Sequence, residues 1–162
     1  MKKSNLCAVL TACITLFASC NQAPKPVAIA EPVKPDLAQI RTDIKAIETA
    51  FCAAWNAKNA DAALTYYADD AQSLFDKMPT LVGKAGIRKH LEEDFANNKT
   101  NQSLITEVVE VFADGNLVVE VATASAKETS GKIVPWGRFM AVFEKRNGKY
   151  VCIRDINNDV KK

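Results

Sequence analysis

The chain has 162 residues, enough for one domain of ordinary size, and a composition of 48% hydrophobic and 25% charged residues suits a single globular core. Its 21 Lys+Arg against 19 Asp+Glu leave a formal charge of +2, a surplus that Lys2 and Lys3 account for. Without those two the charges balance, which excludes the basic footprint that nucleic-acid binding requires.

Residues 1–19 read as a signal peptide: Lys2 and Lys3, an apolar run from Leu6 to Phe17, then the small residues Ala18 and Ser19. The run is too short for a membrane span, which needs about 20 residues as a helix. Leu16-Phe17-Ala18-Ser19-Cys20 resembles a bacterial lipobox, with Phe17 in place of the usual aliphatic residue. The resemblance implies cleavage before Cys20 and acylation of its sulfur, as by palmitate, anchoring the protein to a membrane of the cell envelope. Asn21 after the cysteine implies the outer membrane, facing the periplasm. Residues 20–35 then carry four of the six prolines and no aromatic residue, so they read as a linker.

A domain is expected from residue 36 to 162. Asp36 can cap a helix whose apolar stripe is Leu37, Ile40, Ile44, Ile47, Phe51 and Trp55 and which runs through Lys58. Asn59 caps a short second helix carrying Ala63, Leu64 and Tyr67; an extended stretch follows near 72–75, and a turn through Pro79 leads to a third helix over 84–97. Strands are expected over about 102–113, 116–127, 132–145 and 149–157, separated by Asp114-Gly115, Ser130-Gly131 and Asn147-Gly148. Helices followed by an antiparallel meander define an α+β fold. Once the first three cysteines are assigned to the signal and anchor, Cys52 and Cys152 remain; with His90 as the one histidine and no Cys-x-x-Cys, neither a metal site nor any other cofactor is predicted.

The segment Tyr67-Ala68-Asp69-Asp70-Ala71, then Val82-Gly83 opening a helix, Gly137-Arg138-Phe139 and finally Asn147-Gly148-Lys149-Tyr150 resembles the nuclear transport factor 2-like superfamily, in its SnoaL-like and ketosteroid isomerase-like branch. That resemblance implies a cone-shaped, strongly bent antiparallel sheet wrapped around the long first helix, with a pocket at the open end. The positions matching the polar catalytic groups of ketosteroid isomerases are Phe51, Phe75 and Phe139. A phenyl ring can neither abstract a proton nor stabilise an oxyanion, so steroid isomerisation by that route is disfavoured.

If Phe139 faces the concavity, strand alternation adds Gly137, Ala141 and Phe143, then Val119, Val121 and Thr123, then Val151, Ile153, Asp155 and Asn157. With Phe51, Trp55, Tyr67 and Phe75 these form the expected pocket. Asp155, Asp76 and His90 are weak catalytic candidates. Asp155 reads either as a base paired with His90 or as a side chain satisfied by backbone or Arg154. Trp136 and Arg138 fall on the opposite, convex face, a candidate contact patch for a homodimer. Asp69-Asp70 reads as loop capping, and Glu92-Glu93-Asp94 beside Arg88-Lys89 as a solvated helix face. The expected function is non-catalytic binding of a small hydrophobic molecule by a lipid-anchored protein. The alternatives are acid/base catalysis on a lipophilic substrate and an association module.

Overall fold

The computed structural model describes residues 34–98 and 102–159. The expected signal peptide, Cys20 and nearly all of the linker lie outside the described residues. Among these no helix is long and apolar enough to cross a membrane.

Helix α1 spans Leu37–Asn56, and the Asp36 side chain caps it by accepting from the amides of Ala38 and Gln39, both at 3.1 Å. Its apolar stripe is held down at both ends. Arg41 donates to the carbonyls of Val108 and Val109 on strand β3 (Ser103–Asp114), while Asn56 exchanges two hydrogen bonds with the backbone of Leu104. Asn59 caps the short α2 (Ala60–Ala63), and a single 3-10 turn, Leu64–Tyr66, delivers the chain into β1, Tyr67–Leu74.

Strand β2 (Leu81–Val82) precedes α3 (Gly83–Asn97). Gly83 begins that helix at φ +68, where a Cβ would also stand 3.2 Å from the Asp69 carbonyl, so glycine is required there. Strands β4 (Leu117–Lys127), β5 (Ile133–Arg146) and β6 (Lys149–Asp159) complete a six-stranded sheet in the order β2-β1-β6-β5-β4-β3. At the last hairpin Asn147 and Gly148 have φ 51 and 81, as a primed two-residue turn requires.

The architecture is α+β with a curved sheet closed over α1. Strands β3 to β6 form the expected antiparallel meander, but the sheet as a whole is mixed, because β1 lies parallel to β6. Tyr67 to Asp70 are accordingly strand residues and not the end of the second helix.

Three one-residue irregularities decide which side chains face inward. The register shifts between Val108 and Glu110 on β3, between Ala124 and Ser125 on β4 where Trp136 of β5 is the extra residue, and between Val142 and Phe143 on β5 where Ile153 of β6 is extra. A one-residue slip moves every following side chain to the other face. As a result Phe139 pairs with Ala122, Ala141 with Glu120, and Phe143 with Val118. The inward residues of β4 are therefore Val118, Glu120 and Ala122, all buried. Val119, Val121 and Thr123, expected inside by unbroken alternation, occupy the outer face. On β6 the bulge at Ile153 likewise turns Cys152 inward in place of Val151, beside Phe143.

Candidate functional site

Between α1, α3 and the concave sheet lies an open cavity of about 340 Å³, at the small end of the roughly 300 to 1,000 Å³ usual for small-molecule sites. Phe51 and Trp55 of α1, Tyr67 of β1, and Phe75, Phe139, Asp155 and Asn157 all line it. Phe51, Phe75 and Phe139 thus face an open hollow and do not plug it. His90 and Asp76 also reach its wall. Val119, Val121, Thr123 and Ile153 do not line it, for the register reasons above.

Trp136 requires the opposite correction. As the extra residue of the β5 bulge it turns toward α1, lines the cavity and packs edge-on against Trp55, with ring centroids 5.6 Å apart. It is a wall of the site and not part of a convex patch. Arg138 is exposed at the lip, bordering both this cavity and a shallow outer groove. The aromatic wall continues through Phe51 on Tyr66 (4.8 Å) and Phe75 on His90 (4.4 Å).

The polar floor centres on Asp155, which is 7% exposed. Tyr67 Oη donates to its Oδ2 at 3.1 Å. Burial pushes the Asp155 carboxyl above its ordinary range; Ser73, Tyr67 and Asn157 beside it oppose that shift without cancelling it. Oδ1, Ser73 Oγ and Asn157 Nδ2 lie together without closing a hydrogen bond of normal geometry. The Asp155 partner is therefore Tyr67, neither His90 nor Arg154. His90 Nε2 stands 3.5 Å from Asp94 Oδ2 on its own helix, and Arg154 donates to the carbonyls of Asp70 and Ile153. Asp76 is half exposed beside Lys77, at the rim.

A second acidic group was not anticipated. Glu48 of α1 and Glu120 of β4 are 3% and 0% exposed, and their carboxyls influence one another. Tyr66 Oη donates to Glu48 Oε1 at 2.7 Å, whereas Glu120 closes no hydrogen bond of normal geometry and has the Glu48 carboxyl as its polar neighbour. Burial, reinforced by the neighbouring Glu48 charge, pushes Glu120 up to about 9, and burial raises Glu48 as well. The pair as a whole therefore holds a proton more firmly than free carboxyls do. Both residues were legible in principle: Glu48 falls on the α1 stripe between Ile44 and Phe51, and Glu120 lies between inward Val118 and Ala122. The wall is thus more acidic than an apolar hollow would be.

Other charged features are structural. Asp69 pairs with Lys84 at 2.8 Å, and Asp70 with Arg146 at 2.6 Å, which lowers the Asp70 pKa. Arg88–Glu92 and Lys89–Glu93 form the expected helix-face pairs. Cys52 and Cys152 are free thiols, Cys52 Sγ lying 3.3 Å from Thr106 Oγ1 and Cys152 Sγ donating to the Arg154 carbonyl. Among the described residues no group of three or more His, Cys, Asp or Glu could hold a metal ion.

An aromatic cavity under a curved sheet closed on a long helix is the arrangement of the nuclear transport factor 2-like class. The SnoaL-like domain family matches residues 49–153, well over half of the sequence, and the chain belongs to that family. Its fold is similar to that of an NTF-2-like protein of unknown function from Shewanella oneidensis, at 16% identity over 74% of this chain and 99% of that one, with a TM-score of 0.63. It is also similar to a ketosteroid isomerase-like protein from Erwinia carotovora atroseptica (18% identity, 75% and 96% covered, TM-score 0.56). A third similar structure, from Xanthomonas campestris, is assigned as a calcium/calmodulin dependent protein kinase II association domain (18% identity, 81% and 92% covered, TM-score 0.60). No curated protein matches the chain significantly.

Proposed function

We propose that the protein is a lipid-anchored binding protein of the bacterial cell envelope, held to the membrane through Cys20, whose cavity takes up one small, largely apolar molecule without transforming it. The observation that carries this reading is the cavity itself: about 340 Å³, open, walled by aromatic rings, and with polar atoms concentrated at one floor around Asp155. Apolar walls supply affinity, while a few converging polar groups fix orientation. The three phenylalanines at the isomerase positions support uptake over turnover, since they enlarge the apolar wall where a proton-transfer enzyme would place acids and donors.

A second reading, acid/base catalysis, is favoured by Asp155 alone. A buried carboxyl with a raised pKa and one open oxygen facing a cavity has the properties of a base for proton transfer. The two readings differ in one consequence: under catalysis the bound molecule is recovered chemically altered.

Native mass spectrometry of the full chain purified from membranes tests the proposal. The expected result is an acylated Cys20 together with one retained small molecule per subunit, and a higher Tm when that molecule is added back in excess. An unacylated N-terminus would remove the anchor. A cavity that neither retains a ligand nor shows any thermal response to added apolar compounds would remove the binding function.

A further inference from the structure

We propose that the occupant of the cavity is a small organic cation, an amine or ammonium group on an apolar body. This inference rests on the binding reading above and goes beyond it by assigning the ligand a charge and placing that charge at the Asp155 floor.

Two independent observations lead there. The first is that the buried ionisable side chains are all acids. Among the described residues the buried polar side chains are Glu48, Ser73, Glu120 and Asp155, and no lysine or arginine is buried with them. Three of the four, Glu48, Ser73 and Asp155, line the cavity. Asp155 is 7% exposed and Ser73 0%, yet Asp155 Oδ1, Ser73 Oγ and Asn157 Nδ2 close no hydrogen bond of normal geometry, and the hydroxyl and amide beside the carboxyl bring it no positive charge. A buried carboxylate is costly unless a cation neutralises it. A ligand N–H⁺ supplies that charge together with a donor for the open oxygen.

The second observation is the wall. Phe51, Trp55, Tyr66, Phe75, Trp136 and Phe139 surround the same space. Aromatic faces carry negative potential and attract a cation within about 6 Å of the ring centroid, most strongly when water is excluded. An aromatic enclosure with an unpaired carboxyl at its floor is complementary to an ammonium group in charge, hydrogen bonding and polarisability. Arg138 opposes this, but it is exposed and borders the outer groove as well, so it belongs to the lip. An anionic ligand would have to be held there.

Isothermal titration calorimetry of the full chain near neutral pH with 2-phenylethylamine, 2-phenylethanol and phenylacetate decides the matter, since the three share one apolar body and differ in charge. The expected result is that the amine binds about tenfold or more tightly than the alcohol, with phenylacetate weakest. Asp155→Asn is expected to weaken the amine about tenfold or more and to remove its advantage over the alcohol. Asparagine keeps an acceptor for Tyr67; if the variant nevertheless unfolds, the ranking in the unsubstituted protein still decides. An amine no tighter than the alcohol overturns the cation inference and leaves small-molecule binding standing. Phenylacetate as the tightest ligand overturns it in favour of Arg138. Failure of all three to bind overturns both readings.

Discussion

Glu120 carries the sharpest consequence of burial in this molecule. Its carboxyl has an ordinary value of 4.5 and is pushed up to about 9 in the fold. The folded state therefore binds a proton that the unfolded chain has released above pH 4.5, so this group's contribution to stability is full at acid pH and is lost as pH rises toward 9. Glu48 and Asp155 are raised too and act in the same direction. We expect urea denaturation to show stability falling across that window. Glu120→Gln should flatten the decline without abolishing it, whatever the variant's absolute stability. An unchanged slope would mean that Glu120 titrates normally. The same residue marks the limit of reading single positions from sequence. Asp155 and Asn157 were found because they share the Phe139 parity, but a glutamate is read by default as solvated, and only its apolar neighbours two residues away reveal otherwise.

At the scale of elements, α1 fills the sheet. Ile44 is 0% exposed at the middle of the helix, with Ile40 and Trp55 buried on the same face. Ile44→Ala is expected to cost about 2 to 5 kcal/mol in chemical denaturation, by lost transfer energy and the cavity left behind. A loss below about 1 kcal/mol would mean that the sheet does not rest on this helix. The helix and the four-stranded meander were legible because their signals are local: an apolar stripe, a capping aspartate, and turn pairs between alternating runs. Of strand β1 only the end near 72–75 was legible; its start was not, because Asp69 and Asp70 are poor strand formers and what orders them is distant. Its partner β6 comes at the end of the domain, and Lys84 and Arg146 receive the two carboxylates. The bulges were illegible for a related reason: an extra residue leaves no mark on composition or periodicity until the partner strand is known.

For the whole molecule, the outer face of the sheet is the feature left over. Phe112 is 55% exposed, Met140 45% and Ile156 54%, and register places Val121, Met140 and Ile156 side by side across β4, β5 and β6. Contiguous apolar area of this kind on a soluble face marks a contact surface. A second copy of the chain is the occupant to test. Light scattering should give a dimer at micromolar concentration and a monomer for Met140→Glu, with an unchanged far-ultraviolet spectrum. A monomer in both would remove the surface from consideration. The fold class was readable at this scale, whereas Trp136 was placed on the outer face, because alternation counted through a bulge exchanges the two faces.

The bulge bears on how such a hollow changes over evolutionary time. Trp136 is the residue β5 carries in excess, with Pro135 opposite Ser125 and Gly137 opposite Ala124 on either side of it. Losing it would leave both pairings in place and take one indole out of the cavity wall in a single genetic event, so relatives should differ in the size of this hollow by insertions at this point as readily as by point replacements.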